Sequence, residues 1–161
     1  MLKKILFCTN FSESSHKAFT HALDLAKTHH AKLYILHVTR NLVYPEQLLF
    51  YLPPKKLEEL KASRKKEIIQ KLDTHYLQKM EEFRDYEILV REGVAIREII
   101  LTAKEESVNI IIMGTRGRKG RIHVFLGSTP EGVAKASPCP VLITRGSQEH
   151  DSSSLGPLLP L

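Results

Sequence analysis

The sequence predicts an α/β fold, a doubly wound open sandwich in which a five-stranded parallel sheet is covered by helices on both faces. Two observations lead there. Short apolar runs that read as buried strands alternate with longer segments whose apolar residues recur at helical spacing. One such run, Asn109-Ile110-Ile111-Ile112-Met113, feeds a glycine-rich stretch that opens into a helix start at Thr129-Pro130-Glu131.

The elements follow in order. Lys4 to Thr9 is rich in β-formers and reads as the first strand. Asn10-Phe11-Ser12-Glu13-Ser14 is a polar turn with capping residues. Ala18, Phe19, Ala22, Leu25 and Ala26 then mark a helix running to about His29. Lys32 to Val38 is the second strand. Residues 41–54 hold prolines and the apolar run Leu48 to Leu52, a loop or broken helix. Residues 55–80 read as a long amphipathic helix with Leu57, Leu60, Ile68, Ile69 and Leu72 on one side. Glu87 to Val90 is the third strand, closed by Gly93, and Ile96, Ile99, Ile100 and Ala103 mark the next helix. Asn109 to Met113 is the fourth strand, 129–136 a short helix stopped by Ser137-Pro138, and Pro140 to Thr144 the fifth strand. Right-handed crossovers then give a doubly wound open sandwich, and the predicted strand order is 3-2-1-4-5. The domain is expected over 1–145, with a flexible tail over 146–161 that has no apolar period.

Bulk properties narrow the function classes. The net charge of +6 permits acidic partners without choosing among them. The basic residues are spread along the chain without an aromatic stacking platform, which argues against nucleic acid. The two cysteines, Cys8 and Cys139, make no disulfide framework and suit a reducing, cytoplasmic setting. The N-terminal apolar run is too short for a signal peptide, and no stretch is long enough to span a membrane. His29 and His30 are adjacent, His16 and His21 are five apart, and no ligand set surrounds them, so no metal site is expected.

Ligands of such sheets sit at the carboxyl ends of the strands, where the winding reverses. The turns after the first and fourth strands are therefore the places to look. After the fourth stand Gly114-Thr115-Arg116-Gly117, nine further residues, then Gly127-Ser128. Glycines admit close approach to an anion, and a helix's first turn presents free N–H groups. Arg116, Arg118, Lys119 and Arg121 supply positive charge, Arg116 lying between two glycines of the turn. The alternative is that the cations are solvated and the glycines only end strand and helix. The stretch is not a P-loop, because Gly120 is followed by Arg121 and Ile122. It is neither a Gly-x-Gly-x-x-Gly nor a Gly-x-Ser-x-Gly motif. Ser128 to Glu131 fits a capping box; alternatively Thr129 caps and Pro130 takes the first helical position. No catalytic base, nucleophile or carboxylate pair can be placed at the loop, so slow or absent turnover is expected.

At these residues the chain resembles the universal stress protein family. The family pattern of Gly, two residues, Gly, nine residues, Gly, then Ser or Thr is matched by Gly114, Gly117, Gly127 and Ser128. Lys4 to Phe7 with Thr9 to Glu13, Leu36-His37-Val38, Gly93 with Ile96, Glu98 and Ile99, and Pro138 to Leu142 are similar to further family segments, so the resemblance covers residues 2 to about 145. It implies binding of ATP or another adenine nucleotide, with or without Mg, and stress-response signalling by a homodimer. Gly114, Gly117, Gly127, Ser128 and Thr129 would surround the phosphates with Arg116 nearby. Val38 would offer its backbone to the adenine edge, Thr9 and Asn10 would lie near the adenosine, and Met113 would belong to the same site. The dimer would form through the last strand, Val141 to Thr144. Two positions depart from the family: Asn10 and Asn109 stand where Asp is usual. The Asn10 amide can bond a hydroxyl but carries no charge to order a cation. A nucleotide-independent interaction module of the same fold, or a slow ATP hydrolase, are the alternatives.

Overall fold

A computed structural model describes residues 1–40, 51–115 and 127–146. Its strands are β1 (Lys4–Thr9), β2 (Lys32–Thr39), β3 (Tyr86–Glu92), β4 (Ile110–Gly114) and β5 (Val141–Thr144). Its helices are α1 (Glu13–His29), α2 (Pro54–His75), α3 (Ala95–Glu105) and α4 (Ser128–Ala136), with a short 3-10 turn at Leu77–Lys79. The strands form one parallel sheet in the order β3-β2-β1-β4-β5, as the sequence predicts. β1 is central, and the winding reverses between it and β4.

Side chains alternate across β1 and divide the core in two. Ile5 and Phe7 face α1 and α2, meeting Ala18, Phe19, Ala22, Leu72 and Tyr76. Leu6 and Cys8 face α3 and α4, meeting Ile99, Ala103 and Val133. Burial on both sides is why these strands read as unbroken apolar runs.

The elements differ from the sequence reading in several places. α2 ends at His75 rather than near residue 80, because Tyr76 turns inward to full burial against Phe7 and Phe19. Ile69 does not share the apolar side of α2: it is 40% exposed, one residue and about 100° around the helix from buried Ile68. β3 runs from Tyr86 to Glu92, longer than its apolar centre. Asn109 precedes β4, where its Oδ1 accepts from the N–H groups of Lys3 (2.8 Å) and Lys4 (2.9 Å) and fastens β4 beside β1. Residues 41–50 lie outside the described part, leaving only Tyr51, exposed, and half-buried Leu52 of the apolar run. Of the expected tail, only Gly146 is described.

Candidate functional site

The carboxyl rim of the sheet opens into a cleft of about 740 Å³ between β1, β4, the end of β2, and the starts of α3 and α4. Thr9, Asn10, Val38, Met113, Gly114, Gly127, Ser128 and Thr129 all line it. Arg116 and Gly117 lie outside the described residues, as do Arg118, Lys119 and Arg121.

α4 begins one residue before its expected start, and neither capping scheme is present. Gly127 is the N-cap, in extended conformation (φ −58°, ψ 156°) with no side-chain cap, and Ser128 is already helical. The carboxylate of Glu131 does not reach back; it pairs with Lys135 one turn on (2.7 Å), which holds its carboxyl below the usual range. Glu131 N–H closes the first helical bond onto Gly127 O (3.0 Å), and Pro130 has no N–H to offer. The Ser128 and Thr129 amides therefore have no partner among the described residues, and they stand at the positive end of the helix facing the cleft.

The turn after β1 is built from its own side chains. Ser12 caps α1, accepting from Ser15 N–H (3.3 Å). Asn10 Oδ1 accepts from Ser12 N–H (3.1 Å) and from Ser15 Oγ (2.6 Å), so this amide orders the turn rather than a cation. Phe11 sits at φ 60°, the left-handed region that a bulky residue occupies only under constraint. The constraint is visible: its N–H donates to Thr9 Oγ1 (3.0 Å) and its ring packs on His37 (4.7 Å). Thr9 points across the sheet, where its hydroxyl meets the Tyr76 hydroxyl at 2.5 Å in a buried bond. Burial pushes the Tyr76 phenol up to about 12. Thr9 thus shows the cleft its main chain only.

Gly114 serves packing as well as the rim. A Cβ there would overlap the Ser14 carbonyl carbon and come within 2.5 Å of Ser14 Oγ and 2.6 Å of Ser15 N. The absent side chain lets the first turn of α1 lie against β4. Ser14 Oγ donates to Thr115 O, and Thr144 Oγ1 donates to Ser14 O (3.1 Å).

Val38 stands where β2 outruns β1. Lys32 N–H donates to Lys3 O and Leu33 N–H to Asp85 O, so even-numbered peptide groups of β2 face β1. The last β1 residue, Thr9, pairs with His37, leaving the Val38 carbonyl facing the space beyond the strand end. The next even residue, Arg40, also lines the cleft; its place just past a strand end was the signal the sequence reading passed over. Phe11, Ala95 and Ile99 add apolar wall that the spacing did not single out. Cys8 lines the cleft too, and burial and nearby Cys139 raise its thiol pKa, which disfavours the thiolate. His37 turns to the opposite face, its Nδ1 on Thr9 O (2.9 Å), and burial lowers its pKa. The described lining includes no carboxylate and no imidazole, and among the described residues no group of His, Cys, Asp or Glu is placed to hold a metal.

Comparison with known proteins gives a consistent picture. The model of the universal stress protein family matches residues 1–145. Universal stress protein YxiE of Bacillus subtilis is 35% identical over 148 residues, spanning 90% of this chain and 100% of that protein. The solved structure of MJ0577, a universal stress protein of Methanocaldococcus jannaschii, superposes with a TM-score of 0.69 at 27% identity, covering 92% of this chain and 99% of that one. A universal stress protein solved in complex with cAMP shares the fold at 20% identity and a TM-score of 0.65, covering 90% of this chain and 98% of its own.

Proposed function

The chain belongs to the universal stress protein family, and from that premise we propose that it binds an adenine nucleotide, ATP first among them, in the rim cleft and acts as a regulatory module in a stress response. The observation that carries this reading is the meeting of a nucleotide-sized cleft with the Ser128 and Thr129 amides at a helix start, which have no partner among the described residues. The phosphates lie on those amides, with Arg40 supplying charge; Arg116, outside the described residues, is proposed to add to it. Adenine takes the Val38 carbonyl, and Ile99, Ala95 and Met113 give its ring an apolar wall. Asn10 is held by its own turn, so the ribose relies on main chain there.

With no carboxylate or imidazole on the described lining, any Mg would be held by the phosphates themselves, and no described lining residue is suited to activate water. This favours a binding module over an efficient hydrolase. The domain is taken as 1–145 with the remainder a tail, and the setting as cytoplasmic; no described helix is long and apolar enough to cross a membrane, and both cysteines are free. β5 is a sheet edge four residues long with Leu142 exposed, and a two-fold antiparallel pairing of Val141 to Thr144 with a second copy completes the proposal.

Thermal melting with and without Mg-ATP tests the reading. A ligand bound only by the folded state at a hundred times its Kd stabilises by about 2.7 kcal/mol, so the midpoint rises. An unmoved midpoint at millimolar Mg-ATP overturns it and leaves the nucleotide-independent interaction module, which the same exposed edge favours. Nucleotide released on denaturing the purified protein identifies which adenine nucleotide is held.

A further inference from the structure

A second, smaller cavity of about 150 Å³ lies on the opposite face of the sheet, between α2 and the carboxyl ends of β2 and β3. Its floor is Ile68 and Val90, and its wall on the helix side is Lys61, Arg64 and Lys65. These cations fall at i, i+3 and i+4, one face of α2. Arg91 also borders the cavity, but its guanidinium is spent on the other face, where it pairs with Glu105 and approaches Glu98. Glu92 is the one acid on the described lining.

The charges along α2 are arranged unevenly. Lys56 pairs with Glu59 and Lys71 with Glu67, so both ends are neutralised within the helix. Between them, residues 61–66 hold Lys61, Arg64, Lys65 and Lys66 and no acid. Among the described residues no carboxylate comes within ion-pair distance of Lys61, Arg64 or Lys65, although Arg64 is half-buried. Cations without an ion-pair partner among the described residues border a partly apolar hollow, and the charge of Arg64 adds to burial, the larger cause, in lowering the pKa of His37. The volume holds one phosphoryl group with a few carbon atoms of its ester, and is too small for a nucleotide.

We propose that this cavity is a second anion site, which takes the phosphoryl group of a small phosphomonoester between Lys61, Arg64 and Lys65. Arg64 offers two parallel N–H donors to the phosphate oxygens, the lysines neutralise its charge, and the carbon next to the ester oxygen lies on Ile68 and Val90. The site is independent of the rim cleft, which opens on the other face and has its own donors.

The test is an NMR titration of the whole chain with glycerol phosphate, run against inorganic phosphate and sulfate at matched ionic strength. The expected result is a saturable shift of the Arg64, Ile68 and Val90 amides by the ester, weaker with phosphate and weaker again with sulfate. The double variant Arg64→Gln, Lys65→Gln keeps good helix formers in α2, and should bind at least tenfold more weakly with an unchanged melting temperature. Shifts that do not saturate, that sulfate reproduces equally, that are confined to Gly127 to Thr129, or that survive in the double variant overturn the proposal. Binding confined to Gly127 to Thr129 speaks for the rim cleft alone, so the two sites fail separately.

Discussion

Substituting Gly114 by alanine separates two uses of the same glycine. If Gly114 serves the packing of α1 on β4, the variant is destabilised whether or not nucleotide is present. The added Cβ meets Ser14 Oγ at 2.5 Å and Ser15 N at 2.6 Å, and overlaps the Ser14 carbonyl carbon. Two of these are main-chain atoms of a helical turn and cannot swing aside, so α1 must retreat. Overpacking of this kind costs about 1–3 kcal/mol. The retreat also stretches the Ser14–Thr115 and Thr144–Ser14 bonds, each worth about 0.5–1.5 kcal/mol. Together these give about 4 kcal/mol, and at about 2–4 °C per kcal/mol the midpoint should fall by about 8–16 °C. Circular dichroism melting of nucleotide-free protein reads this directly. A Gly114→Ala variant that melts within about 2 °C of the parent, yet loses Mg-ATP, would refute the packing argument and leave the glycine to the ligand.

Further predictions follow from the same geometry. Tyr76→Phe removes the hydroxyl on Thr9 without emptying the core, and should cost about 1 kcal/mol in urea unfolding with an unchanged m-value. Acidification should destabilise the protein through His16. Its Nδ1 is buried with no partner among the described residues, its ring stacks on His75 at 5.0 Å, and burial, His75 and Lys79 lower its pKa while Glu13 opposes them. Because the folded value lies below the ordinary 6.5, the unfolded state takes up the proton first. Stability is then complete above that pH and declines as pH falls through it, and His16→Phe should flatten this part of the melting profile; an equal slope in the variant would exclude His16 as its source. Leu142→Lys, on the exposed face of the edge strand, should convert a two-chain species to a monomer in sedimentation.

What could be read from the sequence depended on how local the cause was. β1 and β4 were legible because strands covered on both faces need uninterrupted apolar residues, and the alternation with helices marks a parallel sheet. The start of α4 was misread for a local reason with a local rival: Ser128-Thr129-Pro130-Glu131 has the letters of a cap, but the Glu131 carboxylate pairs with Lys135 and Gly127 takes the N-cap. Tyr76 was missed because it follows a charged helix, and only the folded chain brings Phe7, Phe19 and Thr9 around it. The packing use of Gly114 was invisible for the same reason, since its neighbours Ser14 and Ser15 are far away in the chain. Arg40 carried a signal, its position just beyond a strand end, that charge alone did not reveal.

The fastening of β4 to β1 by Asn109 bears on when this protein can recognise anything. One wall of the cleft is made from the beginning of the chain and the other from near its end, and neither holds a ligand by itself. A nascent or clipped chain that lacks the later segment has no half-strength version of the pocket. If the cleft is occupied as proposed, occupancy would report that β1, β2 and β4 have been assembled, because the entropy of closing so long a loop is spent before the first ligand contact is made.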